Sequence, residues 1–339
     1  MQEESPSAGK GQVLVSKEEA ERVRQKLLLE DALDKTRKLV KKNGLVEIPV
    51  KGSFFSNEFP LIWQEEPEFY FPKKTLGESL DIPDSEKKLL PSGWQILGDI
   101  IIVSLKKELE CRKTGIGEAL LSLYPRCRTV LLDRGISGNM RQPVREIIAG
   151  ENTETVHKEN GCLFRLDAMR IMYSQGNLSE KKRMSKLGMG ETVVDMFAGI
   201  GYFSIPMAVH SKPDKIFAIE INPVAFGYLK ENIRLNKVRD IIEPVSGDCA
   251  VVTQRGIADR VLMGYLDAHE YLEYGINALK PGGILHYHEA VPEPLERRPV
   301  ERIIEAVEKQ GRKAEIIGMR RIKKYSPGVW HVVVDARVD

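Results

Sequence analysis

Three acids at the ends of β-branched runs, with two glycines after the first, are the side chains best placed here to do chemistry. Thr192-Val193-Val194-Asp195 ends in a carboxylate and leads through Met196-Phe197-Ala198-Gly199-Ile200-Gly201-Tyr202 into Phe203-Ser204-Ile205-Pro206-Met207-Ala208, which can open a helix. Gly199 and Gly201 let the backbone approach a ligand closely, and the N–H groups of the helix's first turn would point at it. Lys215-Ile216-Phe217-Ala218-Ile219 reads as a second strand ending in Glu220, 19 residues past Gly201, where a carboxylate grips ribose hydroxyls. A third run, Ile241-Ile242-Glu243-Pro244-Val245, leads to Gly247-Asp248-Cys249. Three acid-tipped strands in succession predict a doubly wound α/β sheet holding an adenosine-containing ligand.

The loop chemistry narrows the ligand. A dinucleotide site needs G-x-G-x-x-G/A and seats a pyrophosphate. Here Ser204 takes the third position, and Asp195 at the strand tip would meet a pyrophosphate as a like charge. A cationic sulfonium carrying an ammonium group suits that acid better, so the expected ligand is S-adenosylmethionine rather than NAD. The plainer reading of Asp195 is that it only caps the following turn.

The elements that position these residues sit in a chain of 339 residues, room for two or three domains. At 42% apolar and 29% charged it is ordinary for a globular protein, and no apolar run approaches a membrane span. Residues 1–11 are polar and lack an apolar core, so no secretory signal is expected. Cys111, Cys127, Cys162 and Cys249 form no C-x-x-C pair and no metal spacing, which predicts reduced thiols, no bound metal and a cytoplasmic location. The net charge of +2 excludes a general polycation. Basic clusters are local, Lys181-Lys182-Arg183 and Arg320-Arg321-Ile322-Lys323-Lys324. Each is either a solvated face or the footprint of a phosphate-backbone partner.

Along the chain, a mobile tail ends at the capping box Ser16-Lys17-Glu18-Glu19, before a helix with Ala20, Val23, Leu27 and Leu28 on one face. Leu45 to Val50 is a strand, making residues 1–52 a small α/β module. Residues 53–93 read as linker, punctuated by Pro83, Pro91 and Gly93. A middle α/β domain, 94–173, has a strand from Ile96 to Val103, a helix from Gly117 to Tyr124, a strand at Thr129–Leu132 and a hairpin from Thr155 to Asp167 around Asn160-Gly161. Residues 174–339 form the large domain. They open with a second capping-box pattern, Asn177-Leu178-Ser179-Glu180, and contain the three acid-tipped strands. A fourth strand exits through Met263-Gly264-Tyr265-Leu266, and Ile284–His288 is the fifth. Ala314–Gly318 and Gly328–Ala336 are an antiparallel pair that can close on the sheet edge. Parallel strands with a terminal hairpin predict a Rossmann-like class I methyltransferase fold.

These motifs together resemble the tRNA position-37 guanosine-modifying enzymes. The resemblance rests on Ala149-Gly150-Glu151, Glu154-Thr155, Lys158-Glu159-Asn160-Gly161, Tyr173-Ser174, Glu180-Lys181, Asp195 to Gly201, Ile219-Glu220-Ile221-Asn222-Pro223, Asn232 to Lys237 and His286-Tyr287-His288. It covers residues 94–334, and the N-terminal module looks like the family's tRNA-elbow-contacting domain. Two branches share this body. The guanine-N1 methyltransferases leave the fourth strand through N-L-P or N-P-P and carry G-x-G-P-F in the loop. This chain has Met263-Gly264-Tyr265-Leu266 and Gly201-Tyr202-Phe203 instead. Both resemble the wybutosine-pathway branch, which moves the 3-amino-3-carboxypropyl group of S-adenosylmethionine to C7 of 4-demethylwyosine in the anticodon loop of tRNA(Phe). A tRNA methyltransferase is the alternative. A tRNA-binding module with an inactive cofactor fold is disfavoured because all three acids are present.

The expected site follows. Asp195, Gly199 and Gly201 form the donor loop, Glu220 binds ribose, and Asp248 with the backbone at Cys249 reads the adenine amino edge. The resemblance adds Ser174 and Lys181 as donor contacts, with Lys181 pairing the methionyl carboxylate, and Arg141 near the target base. Tyr202 and Tyr265 would stack on an extruded base. Each has a duller rival: a strand-end acid at Glu220, a turn with Gly247 at Asp248, a solvated helix surface at Lys181, phosphate or no contact at Arg141, packing at the two tyrosines. Glu180 reads as a capping carboxylate and not a base; His286 and His288 read as ordinary core or edge residues. The molecule is expected to be a monomer that does not bind membranes.

Overall fold

In the computed structural model, residues 11–51, 59, 61–64, 74–138, 142–174 and 176–339 are described, and they form two compact units divided after Glu78. The first unit has strands β1 (Gly11–Ser16), β2 (Val40–Lys42), β3 (Leu45–Pro49) and β4 (Leu61–Trp63), in the order β2-β3-β1-β4 and antiparallel throughout. Helix α1 (Ala20–Leu29) buries Val23 and Leu27 among Val13, Val15, Val46, Ile48 and Val50. Two expectations change here. The supposed tail holds β1, and the supposed linker supplies the edge strand β4, whose Leu-Ile-Trp run is exposed and carries no inward-facing alternation. Arg37 is fully buried as a strut, its Nη2 donating to Gly11 O and Val50 O at 2.9 and 2.7 Å and its Nε to Asp34 at 2.7 Å.

The second unit, from Ser79 on, holds the middle and large regions together. After a short helix α2 (Asp84–Lys87) come β5 (Gln95–Leu97) and β6 (Ile100–Val103), an antiparallel hairpin where one strand was expected. Gly98 at φ +60° makes the reversal within a stretch whose apolar residues on both sides read as one strand. Helix α3 (Lys113–Leu123) crosses over to β7 (Thr129–Ser137), parallel to β6, and β8 (Gln142–Ala149) pairs antiparallel with β7. Strands β9 (Glu154–Glu159) and β10 (Cys162–Asp167) form the hairpin on Asn160-Gly161, both residues at positive φ.

The rest alternates: α4 (Leu178–Met184), β11 (Thr192–Asp195), α5 (Ser204–His210), β12 (Lys215–Glu220), α6 (Pro223–Leu235), β13 (Ile242–Ser246), α7 (Cys249–Val252), β14 (Ala258–Met263), α8 (Leu272–Ala278), β15 (Leu279–Pro292), α9 (Arg298–Lys309), β16 (Ala314–Ser326) and β17 (Val329–Val338). They build one sheet in the order β13-β12-β11-β14-β15-β17-β16. The first five strands are parallel, and the terminal hairpin is antiparallel with β17 inserted between β15 and β16. All acid-tipped strands therefore end on one edge, at the crevice where α/β sheets bind ligands. The β10 edge is zipped onto α6 by two amides: Asn232 accepts from Arg165 N and donates to Arg165 O, and Asn236 does the same for Leu163. Among the described residues no helix is long and apolar enough to cross a membrane.

Candidate active site

The loop after β11 is built by its glycines, although not in the way their spacing suggests. Gly199 and Gly201 lie at φ +58° and +99°, where other residues are strained. A Cβ on Gly199 would stand 2.5 Å from the Tyr202 ring, and one on Gly201 2.4 Å from Ile205 Cδ1. The amides expected to face the ligand are engaged within the protein: Gly199 N donates to Glu220 Oε2 at 2.8 Å, and the N–H groups of Gly201 and Tyr202 both reach Ala198 O. A pyrophosphate finds no donors on these three amides, which argues again for a nucleoside and against a dinucleotide.

Asp195 does not face open space. It is fully buried, its Oδ2 accepting from Ser204 Oγ at the start of α5 and its Oδ1 from Phe197 N at 3.4 Å. Turn capping, the plainer reading, is what the geometry provides. Burial lifts its carboxyl to about 6. Glu220 at the tip of β12 is also raised by burial, against the amides of Asn222 and Gly199 that favour its charged form. Two neighbouring acids held by a hydroxyl and amides gain from a cation placed beside them. A sulfonium donor fits that requirement. Asp248 caps α7 by accepting from Ala250 N at 2.9 Å through Oδ1. Cys249 beside it is buried, which pushes its thiol up to about 12 and leaves it an inert packing residue.

Aromatic rings line both flanks. Phe197 meets Tyr265 at 5.3 Å and Tyr271 at 5.4 Å between ring centroids. Tyr202 is differently employed from the expected base-stacking role. Its hydroxyl donates to Met172 O, its ring packs edge-on against Tyr173 at 5.5 Å, and it covers Gly199.

Lys181 is not on a solvated face. It is buried, with Nζ donating to Glu159 at 2.9 Å and to Ser174 O at 3.1 Å, and lying 4.2 Å from the Tyr173 ring centroid. Burial lowers its pKa despite Glu159. Its charge is thus answered inside the protein, and the solvated-surface reading of Lys181 falls. Glu180 is corrected too: Asn177 makes no side-chain cap, and the Glu180 carboxylate pairs with Arg183 at 2.5 Å. Arg141 lies outside the described residues.

Two features escaped sequence reading. Lys323 of β16 donates to Ser174 Oγ at 2.9 Å, a contact 149 residues apart. Behind it a buried chain runs Glu191–Arg260–His286–Asp335–Arg183–Glu180, with His286 bonded to Arg260 and Asp335 at 2.6 Å each. His286 is therefore more than filler. Asp335 is held well below the usual carboxylate range against its burial by His286, Arg183 and Arg320. Strand register alone brings β15 and β17 together here, and no local signal announces it.

Comparison with known proteins agrees with this architecture. The profile of the TRM5/TYW2 methyltransferase domain matches residues 155–317, the TYW2 N-terminal domain matches 74–153, and the tRNA methyltransferase 5 N-terminal domain matches 13–58. A tRNA(Phe) (4-demethylwyosine(37)-C(7)) aminocarboxypropyltransferase of Methanocaldococcus jannaschii is 48% identical over 250 residues, 73% of this chain and 98% of that protein. The chain belongs to the TRM5/TYW2 family. Within the TRM5/TYW2 structures, Pyrococcus horikoshii TYW2 in complex with MeSAdo has a TM-score of 0.69 at 41% identity, covering 76% of this chain and 95% of that one. Trm5b of Pyrococcus abyssi reaches a TM-score of 0.73 at 34% identity over 97% and 99%. The TRM5/TYW2 resemblance in the motifs and the expected Rossmann-like fold with a terminal hairpin both stand.

Proposed function

We propose that this protein transfers the 3-amino-3-carboxypropyl group of S-adenosylmethionine to C7 of 4-demethylwyosine at position 37 of tRNA(Phe). When bound, the donor supplies an electrophilic carbon next to its sulfonium and leaves as 5′-methylthioadenosine. Glu220 holds the ribose while kept in place by two backbone amides. Asp248 and the backbone at Cys249 read the adenine edge, with Phe197 and Tyr271 beside the ring. Asp195 keeps the loop in shape and its charge favours a cation above it. Tyr265, packed against Phe197, stacks on the target base, whereas Tyr202 supports the loop. Catalysis is then chiefly placement, holding the acceptor carbon in line with the bond to be broken.

The exit of β14 carries the choice between branches. Gly264 stands there with Phe203 closed over it, so that a Cβ would lie 2.8 Å from the Phe203 ring. Met263-Gly264-Tyr265-Leu266 offers no asparagine amide to hold a guanine edge. The 48% identity to an aminocarboxypropyltransferase adds weight. One observation favours a second reading, guanine-N1 methylation. The P. abyssi tRNA (guanine(37)-N(1))-methyltransferase aligns over 96% of the chain, against 73% for the M. jannaschii relative.

Residues 11–51 and 61–64 belong to a module that contacts the tRNA away from the anticodon loop. Residues 94–173 contact the loop's backbone, so tRNA binding weakens with salt. A monomer in the cytoplasm suffices for this work. The deciding experiment supplies tRNA carrying 4-demethylwyosine and, in parallel, tRNA with unmodified guanosine at position 37, whose N1 is open, each with S-adenosylmethionine labelled in either the methyl or the carboxyl carbon. Carboxyl label in RNA, with 5′-methylthioadenosine released, is expected. Methyl label with S-adenosylhomocysteine released establishes the second reading.

A further inference from the structure

The basic run Arg320-Arg321-Ile322-Lys323-Lys324, which in sequence allowed either a solvated face or a phosphate contact, is divided by its own strand. Strand β16 pairs Arg321 with Val332 and Lys323 with His331 of β17, a register shift at that point. A bulge of this kind re-aims the side chains that follow it. Arg320 and Lys323 turn to one face, where they meet Asp335 and Ser174. Arg321 and Lys324 turn to the other and lie 5.1 and 5.6 Å from the Trp330 ring centroid. An unbroken period of two would have put Arg321 with Lys323 and left Lys324 on the opposite face.

The outward group is held in place. Trp330 Nε1 donates to Glu293 at 2.7 Å, Arg321 holds Glu296 through two bonds of 2.7 Å, and Glu293 N donates to Gly328 O. Arg321, Lys324 and Arg297, next to Glu296 in the chain, are all exposed. Strand β14 has its last partner on β15 at Tyr287, opposite Met263, whereas β15 continues to Pro292 and pairs with β17 as far as Val329. Strands β15, β17 and β16 thus run on past the end of β14, by roughly 17 Å at the usual rise per residue. This arm projects from the ligand edge beside the exit of β14, to which Ala290 N ties it by donating to Leu266 O at 3.3 Å. A base delivered to Tyr265 brings the phosphates of its own strand up to the arm.

Resting on the proposed function for the identity of the partner as a tRNA, we infer that the outer end of β16 and β17 is a further RNA contact, in which Lys324, Arg321 and Arg297 bind backbone phosphates beside the target base. It lies in the large domain and adds to the contacts of residues 94–173. Trp330 orders the cations and does not stack on a base, because Arg321 and Lys324 already lie against its ring. Phosphate contacts of this kind position the RNA and carry no sequence preference.

Fluorescence anisotropy with the full chain, on tRNA(Phe) and on its isolated anticodon stem-loop, tests the contact. The double variant Lys324→Gln, Arg297→Gln changes two exposed side chains outside the donor site. It is expected to weaken binding of both RNAs about 5- to 20-fold at low salt and to flatten the slope of log affinity against log salt by about 2. A stem-loop of altered stem sequence should suffer the same loss, Lys324→Arg should keep the affinity, and S-adenosylmethionine affinity by calorimetry should stay within about twofold. Unchanged RNA affinity and slope, a loss that depends on stem sequence or is absent from the stem-loop, or an equal fall in S-adenosylmethionine affinity overturns the assignment. Loss of binding to vesicles of anionic lipid while RNA affinity holds would give the arm to a membrane surface and overturn it as well. Failure of the unaltered protein to bind tRNA would instead sink the proposed function.

Discussion

At the loop after β11, Asp195 is buried and Glu220 half-buried with a hydroxyl and backbone amides as partners, and both carboxyls are raised. Further along the same sheet, Asp335 is equally enclosed but surrounded by Arg183, Arg320 and His286, and its carboxyl is lowered. Burial opposes charge in both places; only the second supplies cations within the protein. The difference separates a site prepared for an incoming cation from a network whose charges complete one another. It also explains why the second can be structural although it holds a histidine, three arginines and three acids.

The largest test of that contrast is Asp335→Ala. It removes the carboxylate shared by Arg183, Arg320 and His286, leaving Arg183 with Glu180 alone, and urea unfolding should show a loss of about 3–5 kcal/mol. Glu220→Ala is expected to do the reverse. The ligand-free protein keeps its stability within about 1 kcal/mol, while S-adenosylmethionine affinity falls at least about 100-fold by calorimetry and tRNA binding changes little. A comparable loss of tRNA binding would break the division of labour between the two regions.

pH gives a sign difference. Asp195, raised to about 6, binds its proton more tightly in the folded chain than in the unfolded one. Ligand-free stability therefore gains on the order of 2 kcal/mol from this group as pH falls from about 6 to about 4. Asp335 is depressed, so its contribution is present above about pH 4 and is lost as pH falls further. Urea midpoints across this range should lose the first slope in Asp195→Asn and keep the second. The smallest effect belongs to Tyr202→Phe. It should lower stability by about 1 kcal/mol through the lost bond to Met172 O while turnover stays within about twofold. A large drop in turnover would return Tyr202 to the base-stacking role.

Legibility followed the range of the interaction. Strands β11, β12 and β13 end in Asp195 and Glu220 and before Asp248 as the β-branched runs require, and the Asn160-Gly161 hairpin is where its turn chemistry puts it. The β5–β6 reversal was hidden because Gly98 interrupts an apolar run that reads equally well as one strand. Strand β4 was hidden because an exposed three-residue edge has no periodicity. Among site residues, Glu220 keeps its expected position, whereas Glu180 was misread because its partner, Arg183, is settled by packing.

Sequence by itself determined the alternating order of strands and helices, the acid at each strand tip and the glycines at 199 and 201, since local conformational preference and apolar spacing are properties of neighbours along the chain. Tertiary structure alone decided which charges are answered. Whether Lys181, Lys323, Asp195 or Asp335 meets a counter-ion depends on strand register and on segments brought together across 9 to 152 residues. Electrostatic energy in a buried place is set by those distances in space, and the order of residues along the chain does not contain them.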